Sequence, residues 1–138
     1  MSARDIFHDA VKAALQKDGW AITHDPLTVD LADGQLQVDL GAERLIAATK
    51  DKQQIAVEIK SFVAPSAISE FHTALGQYLN YRVALKLKEP ERILYLGVSL
   101  EIYASFFGRQ LPQLSLKEYQ IKIVVFDPED EVIVQWIS

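Results

Sequence analysis

The chain has 138 residues, a formal net charge of −5, 49% hydrophobic and 24% charged residues, and no cysteine. That length and balance fit one globular domain over residues 1–138, able to bury roughly two-thirds of its unfolded surface, and they exclude disulfides and thiolate metal sites. The acid excess argues against a large basic nucleic-acid footprint while leaving room for a local basic strip, and the lack of an apolar signal core in MSARDIFHDA or of a membrane-length apolar run sets the expectation of a cytoplasmic protein.

Residues 3–18 predict the first helix. Ser2 with Asp5 resembles a capping box, and Gly19 is the expected terminator. Ile6, Phe7, Ala10, Val11, Ala14 and Leu15 form an apolar stripe, with Asp5, His8, Asp9 and Lys12 off its centre.

A set of strands follows. WAITHD (20–25) and LTVDLA (27–32) are separated by Pro26, and Asp33-Gly34 predicts a hairpin into QLQVDL at 35–40. Residues 44–50 predict another strand, and Asp51-Lys52 the turn into QQIAVEIKSF at 53–62. Period-2 alternation places Leu36, Val38 and Leu40 on one face and Gln37 and Asp39 on the other. In the later strand it separates Ile55, Val57 and Ile59 from Ala56, Glu58 and Lys60.

Pro65-Ser66 stops the chain and caps a long helix over 67–88, which Pro90 prevents from continuing. Ile68, Phe71, Leu75, Tyr78 and Leu79 share one face of it; Glu70, Thr73, Gln77 and Tyr81 share the opposite one. The run ILYLGVSL (93–100) predicts a strand at a sheet centre covered on both sides. Short helical segments at 101–107 and 113–119, separated by Gly108 and Pro112, precede a hairpin of IKIVVF (121–126) and VIVQWI (132–137). The order α-βββ(β)-α-β-α-ββ predicts an α/β (α+β) fold, a mixed sheet flanked by helices rather than a doubly wound parallel one.

Laid side by side, the strands at 35–40 and 53–62 would gather Asp39, Glu58 and Lys60 into one polar patch. Two converging carboxylates form a hard-oxygen site suited to Mg²⁺ or Mn²⁺. A lysine two residues from one ligand can position a water or stabilise charge growing on a phosphate, so the set fits phosphodiester hydrolysis. The same tripeptide equally fits a salt network on a solvated sheet face. Gln77 and Tyr81, at i, i+4, can hydrogen-bond a phosphate or a ligand carboxylate, and Asp9 with His8 beside it is a further acidic group able to reach the cleft; a solvated helix face is the plainer reading of each.

Asp39, then Glu58-Ile59-Lys60, then Gln77-x-x-x-Tyr81 resembles the PD-(D/E)xK nuclease superfamily and its restriction-endonuclease-like fold. The runs SARDIFHDAV, DGW, HDPLT, DLGAERLIAA, AVEIKSF, PSAISEFHTALGQYLNYR, PERILYLGV and EVIVQWI are similar to the XisH family, cyanobacterial controlling factors for excision of the fdxN element, over nearly the whole chain. The resemblance implies a protein that assists a site-specific recombinase in excising a DNA element, together with a small partner of the XisI family. It also implies Asp39, Glu58 and the Ile59 carbonyl as ligands of Mg²⁺ or Mn²⁺, Lys60 as the catalytic lysine, and Gln77 and Tyr81 as supporting residues. Val38 stands in place of the motif's proline, a residue often absent in the superfamily.

The remaining features are less specific. His8, His24 and His72 lack zinc spacing and read as surface or capping residues. No glycine-rich phosphate loop or Ser-His-Asp arrangement is present. Arg82, Lys86 and Lys88, with Arg44, Lys50 and Lys52, are candidate phosphate contacts or a solvated charged face. Trp136 fits either a partner-pairing edge strand or core packing.

Overall fold

Two apolar clusters, one on each face of a single mixed sheet, account for the architecture. The structure, a computed structural model, describes residues 5–46 and 51–138. Its elements are α1 (His8–Lys17), β1 (Ala21–His24), β2 (Leu27–Leu31), β3 (Gly34–Val38), β4 (Leu40–Ile46), β5 (Asp51–Ile59), α2 (Ala67–Lys88), β6 (Arg92–Ser99), α3 (Leu100–Ser105), α4 (Gln110–Glu118), β7 (Ile123–Asp127) and β8 (Val132–Ile137). Six strands form one sheet in the order β1-β4-β5-β6-β7-β8, and β2 and β3 pair separately as a hairpin. The β5–β6 and β6–β7 pairings are parallel, the other pairings in the large sheet antiparallel. The expected α/β class and mixed sheet therefore hold, with five strands rather than three or four between α1 and α2 and two short helices between β6 and β7.

The central strands are buried on both faces. Ile55, Val57 and Ile59 pack with Val11, Leu15, Trp20, Tyr95, Val124 and Phe126 beneath α1. Ala56, Leu94, Leu96, Val98, Ile123 and Val125 pack beneath α2 with Phe71, Ala74, Tyr78 and Leu85. Parallel strands joined through a helical crossover must be covered on both sides. The alternation read in the sequence is real, but the second face is core rather than a polar surface.

α2 occupies the predicted 67–88 span. Ser66 caps it, its Oγ accepting the Ser69 N–H at 3.2 Å. Tyr78 anchors it: the phenol donates to the Leu94 carbonyl at 2.8 Å and accepts the Lys122 N–H at 3.1 Å. Among the described residues no helix is long and apolar enough to cross a membrane.

Several expectations need correction. Residues 35–40 are not one strand. Val38 ends β3, Asp39 is a bend, and Leu40 opens β4 in the other sheet, so Val38 lies in the α2-side cluster and Leu40 in the α1-side one. Asp51 and Lys52 are not a turn but pair with Ile46 and Leu45. The connection between those strands, with Lys50, lies outside the described residues, as does Ser2 of the proposed capping box. α1 starts only at His8, and Ile6, assigned to its apolar stripe, is 68% exposed. Gly19 does follow α1, at φ +92°, where its missing Cβ allows the turn. Pro112 does not separate two helices but sits in the first turn of α4, where no amide donor is needed.

Candidate active site

Asp39 is placed by the change of sheet. The Leu40–Val57 register sets the preceding bend beside Glu58. The two residues then clasp each other through the backbone: Ile59 N–H donates to Asp39 Oδ2 at 2.8 Å, and Asp39 N–H donates to Glu58 Oε1 at 3.2 Å. Lys60, just past the end of β5 but still donating its N–H to the Gly97 carbonyl, holds its Nζ 3.6 Å from Glu58 Oε2. The structure thus brings together Asp39, Glu58 and Lys60.

The environment of this trio differs from a solvated salt network. Glu58 is only 6% exposed. Burial, and then the charge of Asp39, push its carboxyl up from 4.5 to about 8, against the opposing pull of Lys60. Burial also raises Asp39, although the Ile59 N–H bond counters it. Two carboxylates this close in a poorly solvated place favour sharing one proton over carrying two charges.

α2 closes the site from above. The Tyr81 phenol is raised by burial and then by the charges of Glu58 and Asp39, which puts it within their field. Gln77, one turn earlier, is half-buried with its Oε1 shielded and without a hydrogen-bond partner among the described residues; Glu70 has a similarly shielded Oε2. Beyond Lys60 the chain turns away at Phe62, whose φ of +56° is strained for an aromatic residue. Its ring packs against Phe106 and Phe107, which in turn meet Phe71, so packing fixes the turn that follows the lysine.

Two contributors escaped the sequence reading. His8, expected at the surface, is 4% exposed, and its Nε2 lies 2.7 Å from Asp25 Oδ1. Asp25 also accepts a bond from Lys12 Nζ at 2.9 Å. The available signal was the i, i+4 pair His8 and Lys12 facing an acid beside Pro26. Asp5 is the other: its Oδ2 accepts the Ser61 N–H at 2.9 Å and ties the start of α1 to the residue after Lys60. Asp9, proposed for the cleft, is exposed.

Of the candidate phosphate contacts, Arg44 lies 4.5 Å above the Trp20 ring and bonds Gln53, and Lys52 pairs with Glu43 at 3.4 Å. Trp136 is half-buried, its ring against Tyr95 and Trp20. The ring therefore packs inward, on a strand that is also an edge of the sheet.

Fold and site together define a mixed α/β domain with a buried carboxylate pair and an adjacent lysine at the end of a central strand. The model of the XisH family, described as XisH protein, matches residues 1–134, and the chain belongs to that family. A crystal structure of an XisH family protein from Nostoc punctiforme PCC 73102 is similar at 50% identity and a TM-score of 0.89, covering 97% of this chain and 100% of that one. A second, of an fdxN element excision controlling factor protein from Anabaena variabilis, is 52% identical with a TM-score of 0.89, covering 98% and 100%. No curated protein matches.

Proposed function

We propose that this chain is an excision controlling factor whose Asp39, Glu58 and Lys60 form a divalent-metal phosphodiesterase centre of the PD-(D/E)xK kind. The observation that carries the reading is the buried carboxylate pair, held in mutual contact although burial and the charge of Asp39 raise Glu58 to about 8. A fold keeps such a pair at a cost unless something cationic relieves it. Membership of the XisH family and the name of the Anabaena variabilis protein support the excision role.

The donor set fits a hard cation. Each carboxylate commits one oxygen to a backbone N–H; the other oxygen of Asp39, Glu58 Oε2 (which Lys60 Nζ approaches at 3.6 Å) and the Ile59 carbonyl would be the donors to Mg²⁺ or Mn²⁺. Mg²⁺ keeps several waters and takes one or two carboxylates, so two carboxylates and a carbonyl would be enough to hold it. Bound there, the ion would supply Lewis-acid polarisation of a phosphoryl oxygen and an acidified water. Asp39 and Glu58 hold the pair's geometry. Lys60 offers a charge to the phosphate as negative charge builds. Tyr81, with Gln77 behind it, limits water and offers a hydroxyl to the substrate or to a ligand carboxylate. In the excision reaction the chain acts on DNA beside a site-specific recombinase, with an XisI-like protein as its partner.

One observation favours a second reading. The same two bonds that orient the carboxylates also fasten β5 to the start of β4. As a purely structural clasp they would serve an accessory protein that works by binding a partner. Calorimetry with Mg²⁺ and Mn²⁺ separates the two: wild type binds and folded Asp39→Asn/Glu58→Gln does not. Unchanged binding in the folded double variant removes the site, and a wild type that binds neither ion selects the accessory reading.

A further inference from the structure

The acidic chain carries a second feature that the carboxylate pair does not use. A groove of about 890 Å³ runs between the C-terminal half of α2, α4 and the entry to β7, lined by Arg82, Lys86, Lys117 and Lys122. It continues into a smaller hollow of about 310 Å³ that shares Arg82, Lys86 and Lys122. No Asp or Glu lines either, although acids outnumber Lys and Arg by 19 to 14 in the chain. Among the described residues, none of these four cations makes an ion pair with a carboxylate.

The groove is built rather than incidental. Arg82 Nη1 donates to the Tyr119 carbonyl at 2.7 Å and to the Gln120 carbonyl at 3.3 Å, so the guanidinium is fixed at the end of α4. Gln120 adopts φ +52°, the turn that brings Lys122 to the same wall. The Lys122 N–H is in turn held by the Tyr78 phenol. Arg82 is fixed by its side chain and Lys122 by its backbone, while Lys86 and Lys117 stand exposed on α2 and α4 along the same groove.

From these observations we infer that the groove holds the phosphate backbone of duplex DNA, at a place distinct from the carboxylate pair. Duplex DNA carries about one negative charge per 1.7 Å of its axis, and its contacts are made by cations fixed along a surface. The four cations come from three separate stretches of the chain and line one groove, so a polyanion can engage several of them at once. An α-helix turns about 100° per residue, so Arg82 and Lys86 lie on a different side of α2 from Gln77 and Tyr81. DNA in the groove is anchored next to the helix that covers the pair without occupying it. The inference stands whether or not a metal binds at Asp39 and Glu58.

The test is fluorescence anisotropy of the full chain with a labelled mixed-sequence duplex at several salt concentrations. Wild type should bind at low salt with an affinity that falls steeply as salt rises. Lys86→Glu and Lys117→Glu should each weaken binding by about tenfold and flatten the salt slope by about one. Lys17→Glu, which changes net charge equally but lies on α1, should bind like wild type. Asp39→Asn/Glu58→Gln should bind like wild type even though metal binding is lost. No duplex binding by wild type overturns the inference, including the case in which an acidic protein binds instead. So does equal binding by the groove variants and Lys17→Glu, or loss of binding in the carboxylate variant.

Discussion

Glu58 ties the stability of the protein to pH in an unusual direction. Its carboxyl is raised from 4.5 to about 8 in the fold, so between those values the folded chain holds a proton that the unfolded chain has released. The stabilisation is complete below the unfolded value and is lost as pH rises through the folded one. Melting temperature should therefore fall between about pH 5 and about pH 8, and Glu58→Gln should flatten that fall and raise stability at its alkaline end. A wild-type profile no steeper than that of the variant would remove the raised carboxyl from the account. The same proton competes with a cation, so Mg²⁺ affinity should climb by about tenfold per pH unit until Glu58 ionises, as titration calorimetry at stepped pH would register. The juxtaposition of Glu58 and Lys60 was legible in the sequence because strand alternation and tripeptide spacing are local, whereas Asp39 reaches them from a bend where an unbroken strand was expected. His8 was harder to read: its burial depends on Asp25, 17 residues away, and the i, i+4 pair it makes with Lys12 signals an acidic partner without saying which.

At the level of elements, α2 is the member on which the site depends, since it covers Glu58 with Tyr81 and is pinned by Tyr78. Removing the phenol strands a buried Leu94 carbonyl and the Lys122 amide, so Tyr78→Phe should cost about 1–3 kcal/mol in urea denaturation, with little change in m. Ser66→Ala, which removes only the exposed cap, should cost about 1 kcal/mol. The bounds of α2 were readable because Pro65, Ser66 and Pro90 punctuate it. The break at Asp39 was hidden for the opposite reason: Leu36, Val38 and Leu40 keep an apolar alternation straight through it. Both sheet faces want apolar residues, so the pattern cannot reveal that Val38 and Leu40 serve different ones.

Across the whole molecule, α1 and α2 seal opposite faces of the sheet, and the strand at the β8 edge is joined to the α1 side by Trp136 against Tyr95 and Trp20. Truncating that ring opens the seam between the C-terminal hairpin and α1, and Trp136→Ala should cost about 3 kcal/mol in thermal or chemical denaturation. The sequence left edge pairing and core packing equal for Trp136, because edge position and burial are both decided by which strand lies alongside. The class of fold, by contrast, followed from the order of apolar runs and breakers, which needs no tertiary knowledge.

Asp39 is the last residue out of the β2–β3 hairpin and the first contact with β5, while the hairpin itself lodges Leu27, Val29 and Val38 under α2. A change in charge at the pair is therefore felt by a lever arm. Loosening the Asp39–Ile59 bond frees one end of the hairpin from the main sheet, and tightening it draws that end home. The exchange of amide protons in residues 27–38 becomes a distant gauge of the pair, quickening when the two carboxylates repel and slowing when a proton or a cation joins them.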